Sequence, residues 1–164
     1  MNKATHIELR DGFSVSRIIH GLWQIADMER DGKILNPEQV APYMQAYVAA
    51  GFNTFDMADH YGSAEIIAGA FKNSLDRPES VKLLTKWVPK PGKVSSETVR
   101  KAVQTSLQRL NVEQIDLLQY HAWMYSDPAW LDTLFELERL KEEGLMAHLG
   151  VTNFDAAHLR IALA

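Results

Sequence analysis

Four short apolar runs, NTFDMA, VKLLTK, IDLLQYH and LMAHLGV, recur along the chain with a helix-period amphipathic stretch between each pair. That alternation constrains the fold most. Parallel strands cannot be joined by a tight turn, and a crossover helix is their usual link. An earlier run, RIIHGLWQIA, makes five strand-helix units of roughly thirty residues each. The expectation is an α/β fold with a parallel sheet and right-handed crossovers, either doubly wound or a (β/α) barrel.

The helices carry their own start and stop signals. NPEQVAPYMQAYVAAGF opens with Asn36 as N-cap, Pro37 at the first helical position and Gln39 placed for a capping box, and Gly51 closes it. SAEIIAGAFKNSL is helical in period, and SSETVRKAVQTSLQRLNV sets Val99, Ala102, Val103, Leu107 and Leu110 on one face. PAWLDTLFELERLKEEG has a stripe of Leu131, Leu134, Leu137 and Leu140 and stops at Gly144. Its Glu136, Glu138, Arg139, Lys141, Glu142 and Glu143 read as a solvated face with i,i+4 pairs. Asp155 is placed to cap a last helix, DAAHLRIALA. At the amino end, HIEL-RDG-FSVSRI reads as a hairpin turning at Asp11-Gly12.

Composition narrows the chemistry. With 46% hydrophobic and 23% charged residues the chain is expected to form a single soluble domain over residues 1–164. A net charge of −4 without a basic run argues against nucleic acid as a partner. No apolar run reaches the roughly 18 to 20 residues that span a bilayer, and MNKATHIELRDG lacks a signal-peptide core, so a cytoplasmic location without membrane contact is expected. Cys is absent, which excludes thiol nucleophiles and cysteine metal sites.

In parallel α/β folds the working residues gather where strands end. The second strand ends in Asp56, with Tyr61 five residues on; the third ends in Lys86, the fourth in His121, the fifth in Thr152 and Asn153. Taken singly, Asp56 reads equally as a turn residue, Lys86 as a solvated strand terminus and His121 as a core histidine. Together they place a carboxylate, a phenol, an ammonium and an imidazole on one rim. A phenol titrates near pH 10, so a nearby cation is needed to make it an effective acid-base group, and Lys86 is positioned to supply one. Asp56 would hold Lys86, and His121 would donate to a carbonyl oxygen. Such a site suits carbonyl reduction, which requires a hydride that no side chain carries, so a nicotinamide cofactor is implied. Asp59 and His60 are read as loop surroundings, and His20 and His148 as structural. Trp87, Trp123, Met124 and Tyr125 are read as packing or pocket lining. His60, His121 and Asp56 could meet as metal ligands, but no HxH or HExxH pattern supports it.

These blocks, GLW, FDMADHYGSAE, LLTKW, DLLQYHAW and HLGVTNF, resemble in order and spacing those of the aldo-keto reductase family. The resemblance covers essentially the whole chain. It implies a (β/α)₈ barrel of TIM type that reduces aldehydes and ketones with NADP(H), a small-molecule carbonyl as substrate, and a tetrad of Asp56, Tyr61, Lys86 and His121. It also implies nicotinamide contacts from Thr152 and Asn153, with Trp23 lining the cleft and Asp56 reaching the cofactor ribose. Ala122 departs from the family's frequent tryptophan, which stands one place later as Trp123.

A complete (β/α)₈ barrel takes roughly 250 residues. The expectation is therefore of the first five units of a barrel, lacking the part that carries much of the family's cofactor site. The alternative reading is a non-catalytic partial barrel that acts as an interaction module, or is completed by another chain, and self-associates through its open sheet edges.

Overall fold

The computed structural model describes residues 5–10, 12–24 and 35–164. Strands β1 (His6–Arg10) and β2 (Phe13–Ser16) form the expected antiparallel hairpin, with Ile7 opposite Val15. Asp11, half of the predicted turn, lies outside the described residues, while Gly12 takes φ +78°. The hairpin lies across the amino end of the main sheet. The Phe13 ring is 4.0 Å from that of His148, and the Ser16 N–H donates to Thr54 Oγ1 at 2.8 Å.

That sheet contains β3 (His20–Gly21), β4 (Thr54–Asp56), β5 (Lys82–Trp87), β6 (Ile115–His121) and β7 (Met146–Thr152). The strands lie side by side in sequence order and every neighbouring pair is parallel. A doubly wound sheet reverses its strand order at a switch point, whereas this order advances one way, as in a (β/α) barrel. The first strand is shorter than its apolar run suggested. Among the described residues only His20 and Gly21 pair in register with β4, the Leu22 N–H adds a bond to the Asp56 carbonyl at 2.9 Å, and Ile18 and Ile19 are exposed; Ile25 and Ala26 of the run lie outside the described residues.

The connecting helices are α1 (Pro37–Val40), α2 (Gln45–Ala49), α3 (Ala64–Asn73), α4 (Ser96–Leu110), α5 (Ala129–Glu142) and α6 (Ala156–Ala162). The expected single helix after Asn36 is broken into α1, a 3₁₀ turn at Ala41–Met44, and α2. Pro42 explains the break, because it has no N–H to donate to the preceding turn, although Ala41 before it keeps helical angles at φ −49° and ψ −41°. Asn36 and Asp155 are the caps expected: Asn36 Oδ1 accepts the Glu38 N–H at 2.9 Å, rather than sharing a capping box with Gln39, and Asp155 Oδ1 accepts the His158 N–H at 2.8 Å. On α4 the cap is Asn111, left-handed at φ 50°.

The helices bury their predicted stripes against the outer face of the sheet. Val99, Val103 and Leu110 of α4 and Leu134, Leu137 and Leu140 of α5 are buried, and Phe71 of α3 meets Phe55 edge-on at 6.0 Å. Helices α3 and α4 touch at Gly69, where a Cβ would lie 2.3 Å from the Leu110 carbonyl oxygen. Asn73 Nδ2 bridges the same crossing, donating to the carbonyls of Gly69 at 2.9 Å and Asn111 at 3.1 Å. The charged face of α5 pairs at i,i+3 rather than i,i+4, through Arg139–Glu136 and Lys141–Glu138, while Glu143 accepts from Arg100 of α4. Among the described residues no helix is long and apolar enough to cross a membrane.

Candidate active site

Alternation along each strand decides what reaches the inner face. On β5, Leu83, Thr85 and Trp87 share one side and Leu84 and Lys86 the other. Lys86 stands opposite Gln119 of β6, and His121 opposite Thr152 of β7. Asp56, at the end of β4, completes a row of polar groups at the carboxyl edge.

Lys86 is 8% exposed, and its Nζ lies 2.5 Å from Asp56 Oδ2 and donates to the Met57 carbonyl at 2.8 Å. The other carboxylate oxygen of Asp56 accepts from Gln119 Nε2 at 3.3 Å, and Gln119 Oε1 accepts from Thr152 Oγ1 at 2.9 Å. Four strands are thereby tied through side chains at one level of the sheet. Sequence reading did not single out Gln119. Its signal was present, since it shares a face with Leu117 and His121, two places from each, and so points to the same side as the predicted His121.

Tyr61 sits on the turn between β4 and α3. The Asp59 N–H donates to the Lys86 carbonyl at 2.8 Å, and the Tyr61 N–H to the Ala58 carbonyl at 3.0 Å. Arg109 of α4 supports this turn from below, donating to the Asp59 carbonyl at 2.8 Å while pairing with Glu65 at 3.3 Å. Glu65 is buried and also accepts from the Thr85 hydroxyl at 2.7 Å. Trp23 meets the Tyr61 ring edge-on at 4.7 Å, His60 does so at 4.8 Å, and Lys86 Nζ lies 5.3 Å from the ring centroid. Burial, and then the Asp56 carboxylate, push the phenol above its ordinary value. Sequence reasoning looked to Lys86 to lower it; here the ammonium is paired directly with Asp56 and lies within cation–π range of the Tyr61 ring.

His121 is 7% exposed and stacks on Trp123 at 5.0 Å. Its Nε2 accepts from Asn153 Nδ2 at 2.9 Å, while Nδ1 is buried with no hydrogen-bond partner among the described residues. Burial, and then the neighbouring His60 and Lys86, hold its pKa below the usual histidine value, with Asp59 and Asp56 opposing. Asn153 is left-handed at φ 67°, and its carbonyl accepts from the Tyr125 hydroxyl at 2.7 Å. Trp87 is buried, whereas Trp123 and Met124 are exposed beside the rim. His20 and His148 pack against Tyr47 and Phe13, each at 4.0 Å between ring centroids. Among the described residues no cluster of three or more His, Asp or Glu side chains could hold a metal ion.

The structure thus brings Lys86, Asp56, Gln119 and Thr152 into one hydrogen-bonded row, with the bonded pair of His121 and Asn153 beside its Thr152 end and Tyr61 and Trp23 packed near its Lys86 end. Comparison with known proteins fits this arrangement. The model of the Aldo/keto reductase family matches residues 17–164. An aldo-keto reductase of Mycobacterium sp. (strain KMS) is 31% identical over 159 residues, covering 96% of this chain and 52% of the relative. A crystal structure of a thermostable aldo-keto reductase with the inhibitor epalrestat shares the fold at TM-score 0.83 and 24% identity, over 96% of this chain and 57% of that one. The Bombyx mori aldo-keto reductase in complex with NADP does so at TM-score 0.74 and 22% identity, over 96% and 53%. The chain spans about half the length of the curated relatives it matches. Strand order, the row of inward polar groups and the family match agree: this chain belongs to the aldo/keto reductase family.

Proposed function

We propose that the rim at the carboxyl edge is the acid-base site of an NADP(H)-dependent reductase of aldehyde or ketone carbonyls. The observation that carries this reading is Lys86, buried and held between Asp56 and the Met57 carbonyl beside the Tyr61 ring. Tyr61 serves as the proton donor to the carbonyl oxygen. Burial and the Asp56 carboxylate push the phenol above its ordinary value, so the phenolate left by donation needs the Lys86 ammonium, 5.3 Å from the ring centroid, to stabilise it. Asp56 fixes the ammonium, and Gln119 fixes Asp56. His121 orients the substrate oxygen.

The residues at the end of β7 suit a nicotinamide carboxamide. Thr152 Oγ1 donates to Gln119 and retains lone pairs, and Asn153, which uses one amide N–H on His121, retains Oδ1 and a second N–H. These complement an amide's donors and acceptor, with Trp23 and Asp56 on the opposite side of the rim. When bound, the cofactor supplies the hydride. The Bombyx mori relative with NADP makes NADPH the natural first probe.

Titrating the chain with NADPH by fluorescence quenching, in wild type and Tyr61→Phe, tests the reading. Binding in both, with aldehyde-dependent NADPH oxidation only in wild type, is expected. Loss of binding in Tyr61→Phe would remove the proton-donor role, and turnover surviving in it would remove the whole assignment.

A further inference from the structure

Lys86 stands on a strand, but Tyr61 stands on the turn between β4 and α3, so the distance between ammonium and phenol is set by whatever holds that turn. Both ends of it are held by one guanidinium. Arg109 Nη1 donates to the Asp59 carbonyl at 2.8 Å, two residues before Tyr61, and to Glu65 Oε2 at 3.3 Å, four residues after it. We propose that Arg109 is a positioning residue for Tyr61, whose guanidinium clasps the turn at Asp59 and Glu65 and, through Glu65 and Thr85, ties it to the strand that carries Lys86.

Three observations support this. The bonds close a circuit: the Thr85 hydroxyl donates to Glu65 Oε1 at 2.7 Å, Arg109 joins Glu65 to Asp59, the Asp59 N–H donates to the Lys86 carbonyl at 2.8 Å, and Lys86 follows Thr85 in the chain. Glu65 is buried with each carboxylate oxygen engaged by a different member, so neither partner can leave without stranding a buried charge or a buried hydroxyl. Between the clasped ends the backbone of Tyr61 is bonded on both sides, its N–H to the Ala58 carbonyl at 3.0 Å and its carbonyl to the Ala64 N–H at 2.9 Å. A shift of either anchor is therefore passed to the phenol.

The consequence is that α4 acts on the rim from the far side of the sheet. Thr85 faces the helices while Lys86 faces inward, so Glu65 and Arg109 influence the site through the turn and the strand and not by contact with a substrate. The phenolate left by proton donation depends on an ammonium 5.3 Å from the ring centroid, and that dependence makes the placement of the turn a determinant of rate.

The inference rests on the proposed carbonyl site only for its effect on turnover, so position and turnover are read separately. In the full chain with ¹³C-labelled tyrosine rings, Tyr61 is assigned by the signals lost in Tyr61→Phe, and those signals are displaced by Trp23 and His60, edge-on at 4.7 Å and 4.8 Å. In Arg109→Ala they should move toward the position of a solvated tyrosine, and millimolar guanidinium should return them while sodium chloride at the same ionic strength should not. In the same variant kcat for NADPH-dependent aldehyde reduction should fall about 10- to 100-fold at nearly unchanged KM for NADPH, and recover with guanidinium. Thr85→Val opens the circuit at its other side and should displace the Tyr61 signals in the same direction; it stands in if Arg109→Ala fails to fold. Tyr61 signals unchanged in a folded variant, a displacement that guanidinium does not reverse in Arg109→Ala, or displaced signals with kcat intact would overturn the proposal. A wild-type chain without turnover, whose Tyr61 signals nevertheless respond to Arg109→Ala and guanidinium as expected, would preserve it and remove only the proposed function.

Discussion

Replacing Gly69 by alanine should destabilise the protein even though it improves a helix. Gly69 lies inside α3, where glycine-to-alanine exchange by itself favours the helix by about 1 kcal/mol. The new methyl would stand 2.3 Å from the Leu110 oxygen, 2.6 Å from its carbonyl carbon and 2.8 Å from its Cα, whereas ordinary contact begins near 3.4 Å. All three atoms are backbone, at the end of α4, and Asn73 clamps the same crossing, so no flexible side chain can swing aside. The helices must separate by roughly 1 Å, and overpacking of this kind costs about 1–3 kcal/mol, here at the upper end because backbone must move. Subtracting the helical gain leaves a net loss of about 1–2 kcal/mol. Urea unfolding followed by circular dichroism should show a lower midpoint at unchanged slope. An equal or higher midpoint would mean that the α3–α4 contact is not close enough to exclude a methyl group, and the reasoning would fail.

Acidification should weaken the fold through two imidazoles, the buried His121 and the half-buried His148. His121 and His148 are both held below the usual value of 6.5, chiefly by burial, so below about that pH the unfolded chain takes up protons that the folded chain resists. Stability is therefore lost as pH falls through this window, and identical urea midpoints at about pH 7.5 and pH 5.5 would contradict it. Removing the Glu65 carboxylate, by Glu65→Ala, strips the Thr85 hydroxyl of its acceptor and Arg109 of its charge partner. Arg109 remains partly in water, so the expected cost is about 1–3 kcal/mol by urea titration, and a neutral result would show that the support beneath the Tyr61 turn is dispensable.

The strand ends were legible because the chemistry of the site and the period of the fold coincide there. Asp56, His121 and Thr152 end their strands, and Lys86 stands one residue before the end of β5, which runs on to Trp87, so the hydrophobic pattern located these points to within a residue. The caps at Asn36 and Asp155 were legible for the same local reason. What the pattern did not reveal depended on contacts between elements far apart in sequence. Gln119 looked like a polar interruption of a strand until its partners on β4 and β7 were in place. The Glu65–Arg109 pair joins two helices, and nothing in either helix alone marks it. The break at Pro42 was available to local reasoning, but the flanking apolar spacing ran through it and favoured a single helix.

The row from Thr152 through Gln119 and Asp56 to Lys86 also bears on how the chain selects its fold. Side chains alternate between faces with every residue, so a slip of one position in any central strand exchanges its two sides. If β5 slipped by one residue against β4 and β6, Lys86 would leave Asp56 and turn toward the helices, and the Thr85 hydroxyl would leave Glu65 for the rim. Such a slip breaks the Asp56–Lys86 and Glu65–Thr85 pairings together and strips the Asp56 carboxylate of its cation, so the shifted pairings are disfavoured most at the strands that carry the site. The charged residues of the rim thus act as registration marks during assembly. A chain that has found the arrangement able to do chemistry has, by the same criterion, found its correct strand pairing.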